Sequence, residues 1–275
     1  MKHQYLLLFF CLVGLISKGQ QNCNVYTDSS CNTACRLSNL AGDFPQGSRR
    51  CQELLDSAIR LCPGMADAWN EIGVPYLKRG DFATWRKYVD KAVALQPGRF
   101  MDIRGWCRFK FLRDYEGALE DLERFDSLTH YSTKRTGDAT YSLNIVMALC
   151  ERELGNYAGA SLYFSKGIDS VIAARGKAYL GQFDFLHRAV LKLKLQDYSG
   201  ALADLDRQEK LNRNYVETSY YRGMAYRSLG KHKLAKKYFS HAARLYKEGF
   251  HMSDPYCEML DAVYPSDVEE ALAGH

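Results

Sequence analysis

The sequence predicts an all-α protein built as a stack of helical-hairpin repeats. Two segments, Asp114–Arg124 (DYEGALEDLER) and Asp197–Arg207 (DYSGALADLDR), agree almost residue for residue. Weaker copies stand at Asn156–Phe164, Asp81–Val89 and Lys231–Phe239. The alanine of the Gly-Ala step, or its equivalent, falls at Trp85, Ala118, Ala160, Ala201 and Ala235, at spacings of 33, 42, 41 and 34. A unit of 33 or 34 residues is two helices and a turn. Apolar residues make up 47% of the 275 and prolines number only six, as a folded chain rather than a Pro-rich disordered one requires.

The N-terminus reads as a targeting segment. Met1-Lys2-His3-Gln4 is a short basic start, Tyr5–Ile16 is an apolar run of 12 residues, and Ser17-Lys18-Gly19-Gln20 turns polar. A bilayer span needs about 20 residues. Residues 1–20 are therefore expected to be a cleaved secretory signal, cut near Gln20 or Gln21. No stable membrane span is expected after cleavage. The chain is expected in the periplasm, the cell envelope or the extracellular space.

Residues 21–47 carry Cys23, Cys31 and Cys35 among Asn, Ser, Thr and Pro, and are expected to form an irregular, disulfide-pinned cap. Outside the signal there are eight cysteines, an even count that favours disulfides in an exported chain. The trio is expected to staple the cap to the helix carrying Cys51 and Cys62, with connectivity open. Cys107 and Cys150 hold nearly the same position in successive first helices, as a bridge or as two buried thiols. No CxxC pair exists and no histidine lies near the trio, so no metal is expected.

Residues 48–250 are assigned to the repeats. In Ala66–Pro97, Trp69, Ile72, Gly73 and Tyr76 lie three or four apart on one helical face. Pro75 falls inside that helix and is expected to kink it. Gly80-Asp81 breaks it. Phe82, Trp85, Val89 and Ala92 then form a second stripe that Pro97 ends. The long spacings mark insertions at Thr129–Thr140 and Ser170–Gly181; the second either lengthens its neighbours or forms a short connecting helix. Residues 251–275 are expected to form one or two capping helices, begun at Asp254-Pro255 and Pro265-Ser266-Asp267, over the open end of the stack.

The pattern resembles the tetratricopeptide repeat (TPR). The family's aromatic, leucine-glycine and tyrosine positions match Trp69, Ile72-Gly73 and Tyr76. Its alanine, aromatic, alanine and proline positions match Trp85, Val89, Ala92 and Pro97, with Trp85 and Val89 departing in type. Val216–Lys247 repeats the register with Gly223, Tyr226, Gly230, Ala235, Phe239 and Ala242, and the resemblance covers roughly residues 48–247. It implies a right-handed superhelical solenoid whose first helices line a groove. By the same resemblance the groove positions are Asn70, Val74, Leu77, Lys78, Lys110, Arg152, Val190, Lys194, Tyr220, Met224 and Arg227, with Cys107, Leu149 and Leu186 in the same register. The family's carboxylate-clamp pattern does not carry over, because Asn70 lacks the other clamp residues.

A basic residue ends each first helix: Lys78, Lys110, Arg152, Lys194 and Arg227. Such a row favours an acidic ligand or a free C-terminal carboxylate. It equally complements the helix dipole. Arg104, Arg188 and Arg222 recur earlier in the first helices, with acids such as Glu120, Asp121 or Asp204 as expected stacking partners.

Without its signal the chain holds 37 − 2 = 35 basic and 32 acidic residues, a balance that does not suggest a nucleic-acid binder. There is no HExxH, GxSxG, P-loop or GxGxxG, so neither catalytic residues nor a cofactor are expected. The expected role is a non-catalytic scaffold or adaptor holding a peptide or protein segment in its groove. Alternatives are a structural subunit of an envelope assembly, or a carbohydrate or small-ligand binder suggested by 19 tyrosines.

Overall fold

The computed structural model describes residues 21–130 and 134–274. The expected signal at 1–20 and part of the insertion at 129–140 lie outside the described residues. The chain divides into two compact units, up to Ala68 and from Trp69 onward. Among the described residues no helix is long and apolar enough to cross a membrane.

The first unit contains a hairpin of α1 (Ser29–Ala41) and α2 (Arg49–Leu61). Residues 21–47 are thus not the irregular segment expected. The Asn- and Ser-rich stretch becomes helical because Asp28 accepts from the Cys31 backbone at 2.8 Å and the helix buries Ala34, Cys35 and Ala41. Disulfides join Cys23 to Cys35 and Cys31 to Cys62. The second ties α1 to the residue that ends α2. Such links stabilise small units chiefly by restricting the unfolded chain. Cys51 is a buried free thiol.

The second unit is a succession of hairpins. They pair α3 (Ala66–Lys78) with α4 (Phe82–Leu95), α5 (Pro97–Cys107) with α6 (Tyr115–Thr129), and α7 (Leu143–Glu153) with α8 (Tyr157–Phe164). A π-helical turn, Ser165–Asp169, carries α8 into α9 (Ser170–Arg175), so the first half of the second insertion lengthens a repeat helix, and Lys177–Tyr179 then forms a short connecting 3-10 helix. Then α10 (Asp184–Lys194) pairs with α11 (Tyr198–Leu211), and α12 (Val216–Ser228) with α13 (His232–Lys247). Within the unit, α5 touches α7, α7 touches α10 and α10 touches α12, while α4, α6, α8 and α11 each touch the first helix that follows. Helix α3 runs through Pro75.

One local device builds every hairpin turn. A single left-handed residue (Gly80, Arg113, Gly155, Gln196 or Gly230) reverses the chain. The next residue caps the second helix: Asp81, Asp114, Asn156 and Asp197 each accept from the backbone N–H three residues on, at 2.9–3.1 Å. The repeated Gly of the Gly-Ala step makes a close approach there, where Thr84 stands in the first of these turns. A Cβ at Gly117 would strike the Arg108 guanidinium, and at Gly200 the Asp197 carboxylate. Lys231 has the same backbone (φ −88°, ψ 60°) but makes no cap bond, and puts a cation at the positive end of α13. Lys231→Asp is expected to raise stability by about 0.5–1 kcal/mol, measured by urea unfolding.

Arginine staples fix how neighbouring hairpins stack. Arg104 donates twice to Asp121 on its own second helix (2.8 and 2.6 Å) and once to Asp90 on the preceding one (2.7 Å). Arg188 repeats this with Asp204 (2.8 Å twice) and Asp169 (3.0 Å). Arg104 stands 14 residues before its Gly-Ala alanine, against 13 for Arg188 and Arg222; the π-helical turn Arg108–Leu112 lies between and absorbs the extra residue. In the last hairpin Tyr238 replaces the aspartate, and Arg222 lies over its ring at 5.3 Å, with Asp206 at 2.9 Å.

Beyond α13 only α14 (Pro265–Ala273) is helical, packing Val268 and Ala271 on the last hairpin. The helix start expected at Asp254-Pro255 does not form. Asp254 instead accepts from the backbone of Tyr256 and Cys257 at 2.9 and 3.2 Å, which makes a turn. Residues 250–264 form a long loop.

Candidate functional site

The first helices α5, α7, α10 and α12 present a row of basic side chains, and the 250–264 loop lies on it. Lys110, in the π-helical turn after α5, reaches Asp138 at 2.9 Å and Asp254 at 2.7 Å. Its ammonium also stands over the rings of Trp106 and Phe111, at 5.4 and 5.6 Å. Burial pulls its pKa down, but Asp254 and Asp138 outweigh that and raise it. Arg113 donates to the Glu258 carbonyl. The space left at this end is about 20 Å³, room for one water.

One helix further on, Arg152 is almost wholly buried. It donates to Asp261 at 2.7 Å and to Glu153 at 2.9 Å. His187 of α10, with no exposed surface, places Nδ1 2.6 Å from the same Asp261 oxygen. Burial works to raise the Asp261 pKa, but Arg152 and His187 outweigh it and hold the carboxyl at about 2. Asp261 sits at φ 64°, a left-handed conformation that non-glycine residues adopt at a cost. The ion cluster keeps it there.

Beyond Asp261 the surface opens. A cavity of about 520 Å³ is lined by Arg152, Glu153, Val190, Leu193, Lys194, Tyr198, Tyr221, Met224, Ser228 and the loop residues Leu260–Ala262. Four residues singled out from the sequence meet in it: Arg152, Val190, Lys194 and Met224. Its wall mixes the apolar Val190, Leu193, Tyr221 and Met224 with charge: Lys194 and Glu153 are both exposed at it, and Arg152 and Asp261 pair within it.

The remaining expected positions lie elsewhere. Asn70 and Val74 are half-buried, Leu77 is buried and Lys78 is exposed on α3. Asn70 donates to Glu71 at 3.2 Å. Tyr220 packs with Leu272 of α14 and Phe239, under the capping helix. Arg227 lies over the Phe239 ring at 5.6 Å. Cys107, Leu149 and Leu186 are core residues, so ligand contact is ruled out for them by burial. Cys107 and Cys150 are free thiols, and burial pushes both pKa values up.

Residues 217–248, the last hairpin, match the family model of the tetratricopeptide repeat. Several solved structures share the architecture. The pilF protein of Pseudomonas aeruginosa superposes with TM-score 0.63 at 16% identity, over 90% of this chain and 100% of that one. PilW, a type IV pilus biogenesis factor, gives 0.60 at 14%, over 87% and 98%. YrrB, a TPR protein with an unusual peptide-binding site, gives 0.55 at 12%, over 72% and 94%.

The fold is a TPR solenoid.

Tetratricopeptide repeat protein 5 of Bos taurus is 25% identical over 185 residues, 63% of this chain; the chain covers only 40% of that relative's length. Against a plain TPR stack, the 250–264 loop and its acids Asp254 and Asp261 are the additions that shape this site. Neither was visible as a site residue in the sequence. Asp254 lies 144 residues from Lys110, and Asp261 lies 109 from Arg152. No local pattern joins them.

Proposed function

We propose that this chain is an exported member of the TPR family whose first-helix surface holds a segment of a partner protein. The observation that carries the reading is the cavity itself. It brings Val190, Met224, Leu193 and Tyr221 together with Lys194 between successive first helices, and a packed end-cap has no use for such space. The partner segment is acidic or ends in a free carboxylate, with an apolar side chain beside that charge. The disulfides support an oxidising compartment, as the sequence reading of residues 1–20 expects. The roles of PilW as a type IV pilus biogenesis factor and of YrrB as a protein with a peptide-binding site favour an envelope setting and a protein ligand.

The test begins with a photo-crosslinker at position 194 in the native host, which identifies the partner for purification. Lys194→Glu is an exposed change that leaves folding within about 0.5 kcal/mol of the original. It is expected to weaken binding of the purified partner about tenfold, the scale of one charge-assisted hydrogen bond. Unchanged affinity removes the cavity from the reading. Reversal at Arg152 is no such test, since it sets a new carboxylate against Asp261.

A further inference from the structure

The crown of the 250–264 loop is held differently from its feet. The feet are apolar: Met252 and Val263 are buried against the last two hairpins. The crown, from Asp254 to Asp261, has one apolar contact, Met259 on the α10–α11 core, and is otherwise fastened to the first helices by carboxylates on Lys110 and on Arg152 with His187, and by the Glu258 carbonyl on Arg113. Its aromatic residue Tyr256 is 58% exposed and meets Phe111 only at 6.5 Å between ring centres. Its last residue is strained, with Asp261 at φ 64°. The row of cations therefore already carries an acidic segment, and that segment is the chain's own.

We propose that this crown is a built-in competitor: Asp254 and Asp261 occupy cation sites that an acidic segment of a partner protein takes over. This rests on the reading of the surface as a partner-binding one, and it specifies the ligand. A partner segment must bring two carboxylates to the Lys110 and Arg152 sites together, as Asp254 and Asp261 do from positions seven residues apart. Lys110 is built to change partners. Asp138 stays bound to it when Asp254 leaves, so the ammonium is never stranded. The apolar feet keep the loop attached while the crown swings out.

The probe is a synthetic peptide of residues 252–264 carrying C257S, added to the full chain and followed by fluorescence anisotropy. Asp254→Asn removes one crown anchor and leaves Lys110 paired with Asp138. The D254N chain is expected to bind the peptide at least about tenfold more tightly than the original, the scale of one hydrogen bond to a charged group. Faster hydrogen exchange across 254–261 and an unchanged helical circular-dichroism spectrum are expected with it. Adding Lys110→Gln to D254N is expected to cancel the gain. Equal peptide affinity in the two chains, or a crown no more open in D254N, overturns the proposal and leaves the loop a brace. K194E is expected to leave the peptide gain intact, because Lys194 lies in the open cavity. Failure of the competitor idea thus reads separately from failure of the cavity reading.

Discussion

Asp261→Asn is expected to lower stability by about 3 kcal/mol, and Asp261→Ala by about 4–5 kcal/mol, in urea unfolding of the full chain. Asparagine keeps the shape and tolerates the left-handed backbone at φ 64°, so its cost isolates the charge. What is lost is the counter-charge of Arg152, whose side chain is 1% exposed, and the partner of buried His187. Arg152 keeps Glu153, but a buried cation that loses one of its two carboxylates costs more than an exposed pair contributes. Alanine adds the backbone strain. The same residue writes a pH signature. Its folded pKa of about 2 lies below the ordinary 3.8, so its stabilisation is fully present above about pH 4. As the pH falls from about 4 to about 2, the unfolded chain takes up the proton first and the contribution disappears. Asp261→Asn is expected to flatten stability across that window.

Asp204→Ala is expected to cost about 3–5 kcal/mol, whereas Arg222→Ala costs about 1 kcal/mol or less. Asp204 has no exposed surface and meets three cations: Arg188, Lys192 at 2.7 Å and Arg207 at 2.9 Å. Burial works to raise its pKa, but those cations outweigh it, Arg188 first. Its removal takes the buried carboxylate from Arg188 and leaves that guanidinium only the more exposed Asp169. Arg222 faces Asp206, which is 62% exposed, so solvent replaces that partner readily. Comparable costs at the two sites contradict the staple account.

The repeat architecture was legible because its causes are local. The Asp-Tyr-x-Gly-Ala string encodes a cap, a helix start and a close approach within five residues, and the staple acids Asp121 and Asp204 stand in the two copies that match best. Helix α1 escaped notice because Asn, Ser and Thr signal turns until the burial of Ala34 and Cys35 is known. The second insertion left two readings open, and both are met: the π-helical turn at Ser165–Asp169 continues the helix to Arg175, and Lys177–Tyr179 forms a short 3-10 helix. Within the site, the cations on the first helices follow the repeat register and could be named. Their present partners could not, because Asp254 and Asp261 belong to a loop outside the register. His187 read as an ordinary histidine for the same reason: its partner lies 74 residues away.

Hydroxyl-radical footprinting of the full chain, with and without the partner recovered by crosslinking, tests the central claim most directly. Met224, Tyr198 and Leu193 line the open cavity, while Leu162 and Leu234 are exposed on second helices. Partner binding is predicted to protect Met224, Tyr198 and Leu193 and to leave Leu162 and Leu234 as reactive as before. Protection of Leu162 and Leu234 with Met224 unchanged would contradict the account and place the contact on the second helices.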